Sequence, residues 1–290
     1  MSEPDFLSSS RIAILGLGLM GGSLALALRG KCTALLGVDP DPAALSLAHQ
    51  EKIIDQGAGD PAEILTQADL IILAAPVLAI IELIRRLPEL HPGAAVVLDL
   101  GSTKADVVTA MADLPDRFDP VGGHPMCGKE KLSLAHADPG LFQGAPFVFT
   151  SLPGTSPRAR LLVEQLAQAL GAYPVWLDAE THDRWAAATS HLPFLLASAL
   201  VAATPGEVGA LVGPGFRSTS RLAATSASMM LDVLFTNRQN ILEVIERFRE
   251  QLQAVEGLLS SNETAGLRNW LDRSAARHSE LVGNSRRGDA

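Results

Sequence analysis

Arg11-Ile12-Ala13-Ile14-Leu15-Gly16-Leu17-Gly18-Leu19-Met20-Gly21 decides how this chain is read. A short apolar run that stops at glycine is what a strand buried on both faces of a parallel sheet presents, and a helix is expected after it. Each glycine has a separate job. Gly16 permits a tight turn, Gly18 lets the backbone approach a pyrophosphate, and Gly21 allows helix and strand to pack closely, while the helix N-terminus attracts phosphate charge. Leu19 and Met20 belong to the same turn and are expected to touch the same ligand. A second strand over 34–39 ends in Asp39, at about the 20-residue offset where a carboxylate meets the adenosine ribose. That charge repels a 2′-phosphate, and neither Arg nor Lys follows in Pro40-Asp41-Pro42-Ala43, so NAD is expected rather than NADP.

Working outward, strands are expected over 69–74, 95–99, 120–125, 147–150 and 174–178, with helices over 23–28, 42–50, 77–87 and 157–170. This alternation predicts an α/β fold with a doubly wound, mostly parallel Rossmann sheet. After Asp178 the pattern changes to long helical stretches over 181–203, 224–235 and 237–259, with no convincing strand. The expected domains are therefore a nucleotide-binding domain over 1–178 and an all-helical domain over 179–290. Ala186-Ala187-Ala188 and Leu195-Leu196-Ala197 put apolar side chains on more than one helix face. One face would line the interior and another a second copy of the chain, so a homodimer is expected.

Composition narrows the function. With 290 residues, 47% of them hydrophobic and only 4% aromatic, the chain can bury a core but offers little for base stacking. A net charge of −9 disfavours nucleic acid as a partner. Cys32 and Cys127 give no disulfide framework, the N-terminus is acidic, and the apolar run over 70–81 is broken by Pro76 well short of the roughly 18 residues of a membrane span. A cytoplasmic protein without membrane contact or metal is expected. Arg273, Arg277, Arg286 and Arg287 read as a solvated C-terminal fray.

Two further segments carry chemistry. Asp99-Leu100-Gly101-Ser102-Thr103-Lys104 and Gly123-His124-Pro125-Met126-Cys127-Gly128-Lys129-Glu130 both follow expected strands, at the sheet edge where ligands bind. A histidine between glycines beside a nucleotide site is a candidate general base. Together with Gly16 to Ser23 and with Ser190-His191-Leu192-Pro193, these segments resemble the prephenate and arogenate dehydrogenases of tyrosine biosynthesis, from Arg11 to about Arg238. The glycine turn alone is shared with 3-hydroxyacid dehydrogenases.

The resemblance implies an NAD-dependent oxidative decarboxylation of prephenate to 4-hydroxyphenylpyruvate. His124 then binds the ring hydroxyl and withdraws its proton, so it works in the neutral form. Ser102 is implied to hydrogen-bond both His124 and the substrate hydroxyl, and to touch the cofactor. Arg221 holds a substrate carboxylate, a task suited to a planar cation. His191 falls in the pocket, Glu130 near its mouth, and Lys129 and Arg217 are further cations for a dicarboxylate. Cys127 is a small filler. Ser226-Ala227-Ser228-Met229-Met230 replaces the family's Asp-Pro-x-Met-Trp, Phe194 stands where several members have a second histidine, and Lys129 replaces a common threonine. These departures leave arogenate open as substrate. A 3-hydroxyacid dehydrogenase is disfavoured by the lack of a Gly-x-x-x-Lys helix, and a non-catalytic NAD sensor by the intact Ser102, His124 and Arg221.

Overall fold

The structure is a computed structural model that describes residues 4–129, 131 and 133–285. It comprises two compact units, 1–238 and 239–290. In chain order the first unit contains α1 (Phe6–Ser9), β1 (Arg11–Leu15), α2 (Leu19–Leu28), β2 (Ala34–Val38), α3 (Pro42–Gln50), β3 (Gln56–Ala58), β4 (Leu70–Leu73), α4 (Val77–Leu90), β5 (Ala95–Asp99), α5 (Ala105–Ala112), β6 (Phe118–Pro125), β7 (Pro146–Ser151), α6 (Pro157–Ala169) and β8 (Tyr173–Trp176). Helices follow: α7 (Ala179–Ala186), a π-helical turn (Ala187–His191), α8 (Leu192–Ala203), α9 (Pro214–Ser220) and α10 (Ala227–Thr236).

The eight strands lie in the order β3-β2-β1-β4-β5-β6-β7-β8. All neighbours pair in parallel except β6 and β7, which run antiparallel with His124 opposite Val148. Every residue of β4 is buried, because helices cover both faces of the sheet. One layer gathers Ile12, Ile14, Leu24 and Leu98, the other Ala13, Leu15, Ile71 and Ile84. Each fully buried Leu or Ile contributes roughly 1.5–3 kcal/mol, so continuously apolar strands dictate this two-layer core. The order reverses between β1 and β4, which opens a crevice at their carboxyl ends.

Several expectations need correction. The first helix begins at Leu19, not at residue 23, and takes Gly21 and Gly22 into its first turns. Their poor helix propensity is overridden by packing: a Cβ on Gly21 would collide with the Gly16 carbonyl, and one on Gly22 with Leu134. Strand β3 carries too few apolar residues to signal itself. Arg273 and Arg277 are not frayed but belong to α12 (Thr264–Ser285), where Arg277 pairs with Glu280 at 3.0 Å. Arg286 and Arg287 lie outside the described residues. The helical run over 179–203 is long and apolar enough by length and composition to cross a membrane, contrary to the expectation. Buried His182, Asp183 and His191, all hydrogen-bonded to neighbouring segments, fix the first half of this run to the first unit, while over 192–203 only Ala197 is buried. In the second unit α11 (Arg238–Ser260, starting one residue earlier) and α12 are joined by a short turn, with Trp270 donating to Gln251 at 3.4 Å.

Candidate active site

The glycine turn sits at the carboxyl end of β1. Gly16 has φ +103°, a left-handed value that side chains resist, and a Cβ there would strike the Ala74 carbonyl. Gly18 precedes α2, whose first-turn N–H groups receive no side-chain cap and so remain donors. Asp39 follows β2; its Oδ2 accepts from Leu17 N (2.7 Å) and its Oδ1 from Asp41 N (2.8 Å). The carboxylate therefore ties the strand end to the glycine turn. Gly16, Gly18, Leu19, Met20 and Asp39 line a cavity of about 740 Å³, while Gly21 lies behind them at the strand–helix contact. Among its described lining residues Arg86 is the one cation. Uncapped amides, a turn only glycine can make and a terminal carboxylate fit a dinucleotide with a free ribose diol.

A second cavity, of about 360 Å³, shares Ser102, Met229 and Val233 with the first. His124, Lys129, His191, Phe194 and Arg221 also line it. His124 is delivered by the end of β6 and is 9% exposed. Burial, and after it the nearby His182, Lys104 and His191, hold its pKa well below the usual histidine value, so it is neutral at pH 7. His191 is 1% exposed and its pKa is lowered to about 4, again mainly by burial. Its Nδ1 lies 3.2 Å from Asn237 Nδ2, which can only donate. The neutral ring therefore carries its proton on Nε2, which is buried, and the Ser102 backbone beside the ring favours its protonated form.

The other expected site residues are placed less uniformly. Ser102 lines both cavities, but among the described residues no hydrogen bond joins it to His124; His182 takes that place. Lys129 is 43% exposed and pairs with Asp138 at 2.8 Å. Arg221, in the turn Arg221–Ala224, reaches the cavity wall, whereas Arg217 is exposed on α9 and does not line it. Glu130 lies outside the described residues. Cys127 lines the cavity, and burial raises its thiol to about 11, which makes it no nucleophile at neutral pH.

Three residues that sequence reasoning missed, His182, Asp183 and Asn237, join Asp99 and Lys104 around this site. His124 Nδ1 is 2.9 Å from His182 Nε2, and His182 Nδ1 is 2.8 Å from Asp183 Oδ1. Asp183 also accepts from Lys104 N (2.7 Å) and Ala105 N (2.9 Å), capping α5 from α7. Lys104 is wholly buried and ion-paired with Asp99, whose other oxygen accepts from Gly123 N at 2.9 Å, next to His124. Asn237 also donates to the Asp183 carbonyl at 2.7 Å. The available signal was a His-Asp pair opening an otherwise apolar helical run.

A dinucleotide crevice that opens onto a cavity holding a neutral, buried histidine defines a nicotinamide-dependent dehydrogenase. Residues 24–174 match the family model for the prephenate dehydrogenase nucleotide-binding domain, and 178–273 that for the prephenate dehydrogenase dimerization domain. The chain is 32% identical to a prephenate dehydrogenase of Bacillus subtilis over 259 residues, covering 84% of this chain and 68% of the relative. Among solved structures, prephenate dehydrogenase from Aquifex aeolicus in complex with hydroxyphenyl propionate and NAD+ superposes with TM-score 0.87 at 29% identity, covering 95% of this chain and 99% of the other. An arogenate dehydrogenase from Synechocystis reaches 0.80 at 26% identity, with 93% and 99% covered. This chain belongs to the prephenate dehydrogenase family.

Proposed function

We propose that the chain is an NAD-dependent prephenate dehydrogenase. The observation that carries this reading is the continuity of the two cavities through Ser102, with a neutral His124 and the Arg221 cation in the inner one. Gly16, Gly18, Leu19 and Met20 would hold the pyrophosphate, Gly21 would keep α2 close enough to aim its amides, and Asp39 would bind the ribose. What NAD supplies when bound is an acceptor for the hydride leaving the hydroxyl-bearing ring carbon. His124 takes the hydroxyl proton at Nε2, and Ser102 orients that hydroxyl at the junction of the cavities. Arg221 clamps a carboxylate of the substrate, with Lys129 adding cationic charge at the wall. Glu130 stays assigned to the pocket mouth, and Arg217, outside the cavity wall, stays a further cation for the dicarboxylate. Loss of the ring carboxylate as CO₂ then makes the ring aromatic.

The described lining supplies the Arg221 and Lys129 cations for a dicarboxylate, while Glu130, assigned to the mouth, lies outside the described residues; the choice between prephenate and arogenate therefore falls to a steady-state assay. Residues 1–178 serve as the nucleotide domain and 179–290 as the helical domain, which we propose joins two copies into a homodimer. Exposed Leu252, Leu259 and Leu271 on α11 and α12 support that use. We also propose a cytoplasmic enzyme of tyrosine biosynthesis, a reading that the two unpaired cysteines support. Steady-state assays of prephenate and arogenate, each with NAD and NADP, test the reading. Prephenate with NAD should give the highest kcat/KM, by roughly tenfold or more over each other pairing. A higher value for arogenate with either cofactor would overturn it.

A further inference from the structure

We infer that His182 and Asp183 are positioning residues that fix the tautomer of His124, leaving its Nε2 as the lone-pair nitrogen that receives the substrate proton. The inference rests on the dehydrogenase reading above but is carried by hydrogen-bond polarity. An ionised carboxylate can only accept. Both oxygens of Asp183 are engaged by fixed backbone donors, Oδ1 by Lys104 N and Oδ2 by Ala105 N, so the group is held as an acceptor facing His182. The 2.8 Å contact from His182 Nδ1 to Oδ1 must then carry its proton on Nδ1. In a neutral ring that leaves His182 Nε2 as an acceptor. Among the described residues it meets His124 Nδ1, at 2.9 Å, which must therefore be protonated, so the neutral His124 presents an unprotonated Nε2 to the cavity.

The surroundings leave His124 little freedom to choose otherwise. The ring is almost wholly enclosed, and it stands 5.1 Å from the His182 ring in an edge-on arrangement. Charged and titratable groups reach it from three elements: His182 and Asp183 on α7, Lys104 after β5 with its Asp99 partner, and His191 in the π-helical turn. Without His182, nothing else described accepts from Nδ1. The ring would then be free to carry its proton on Nε2, where it cannot act as a base.

The step balances without a further reactant. As hydride departs with its electron pair, the substrate O–H proton moves to His124 Nε2, and the resulting imidazolium keeps its Nδ1–H directed at His182, with the Asp183 charge one ring further. Cleavage of the bond to the ring carboxylate then returns an electron pair to the ring. The phenolate so formed takes the proton back from Nε2, and His124 ends neutral.

Nitrogen NMR of histidine-labelled protein near neutral pH tests the tautomer directly, with His124 assigned by loss of its signals in His124→Asn. We expect Nδ1 protonated and Nε2 unprotonated; a proton on Nε2 overturns the inference. This readout requires neither cofactor nor substrate, so it separates failure of the inference from failure of the assigned reaction. Kinetics give the second arm. His182→Leu should reverse the tautomer and lower kcat by roughly 10²–10⁴, with NAD affinity and substrate KM unchanged within about threefold. His182→Gln, whose carboxamide oxygen can accept from Nδ1–H, should recover at least about tenfold of that loss. Wild-type kcat in His182→Leu, or a loss confined to KM, overturns the inference. Asp183→Asn would also uncap α5, which makes His182 the diagnostic position.

Discussion

Asp39 is asked to do two things with one carboxylate. It anchors the glycine turn through Leu17 N and its own loop through Asp41 N, and the lone pairs left over face the proposed ribose site. A carboxylate has roughly four lone-pair sites, so both tasks can be met at once. Asp39→Ala removes the two anchors as well as the ligand contact. Hydrogen bonds to charged groups contribute about 1.5–3 kcal/mol, so NAD affinity should fall roughly 10–100-fold, while NADP affinity falls less because the repulsion of its phosphate is relieved. Titrating both nucleotides checks this: an unchanged Kd for NAD would remove Asp39 from the ribose site. The spacing from Gly16 made Asp39 legible in the sequence, and its place after a strand did the same for His124. The anchoring bond to Leu17 was not legible, because sequence spacing says where a carboxylate lies but not which backbone donors turn toward it.

Among elements, the segment from β5 to α5 ties the site together. Asp99 and Lys104 form an ion pair with both side chains at 0% exposure, and Asp99 also accepts from Gly101 N at 2.7 Å and Gly123 N at 2.9 Å. One carboxylate thereby fixes the loop that bears Ser102 and the strand that bears His124. Breaking such a pair by removing one partner costs about 3–5 kcal/mol, because the remaining charge stays buried without compensation. We expect Lys104→Met to lower unfolding free energy by that amount in urea titration, and Asp99→Asn combined with Lys104→Met to restore part of it. A change below about 1 kcal/mol would show that Asp99 finds other compensation. The central strands were legible because burial on both faces forces a continuous apolar run, as in Leu70–Leu73. What escaped was set by tertiary contact. Gly22 looks like a loop residue until Leu134 packs where its side chain would be. His182 looks like a surface histidine in a polar first turn until α7 packs on the loop after β5.

For the molecule as a whole, the two buried histidines set how stability responds to acid. His124 and His191 are both held below the ordinary histidine pKa, chiefly by burial, whereas in the unfolded chain they titrate near 6.5. Below that pH the unfolded state binds more protons than the folded one, so folding free energy is lost as pH falls and is fully present above it. For His191, with its pKa at about 4, the loss is on the order of 3 kcal/mol by the time that pH is reached, and His124 adds to it. An opposing effect comes from the net charge of −9, since acidification relieves repulsion among surface carboxylates. Those charges are solvent-exposed and screened beyond about 8 Å at physiological ionic strength, whereas the histidines are enclosed, so the histidine effect should prevail. Against a typical total of about 5–15 kcal/mol, the loss is large enough to measure. Urea midpoints should therefore fall steadily between about pH 6.5 and pH 4, and His191→Asn should flatten the slope in that window. A midpoint that holds constant or rises over the same range would mean that the folded protein accepts protons on these rings, and with it that His124 is not kept neutral by its surroundings.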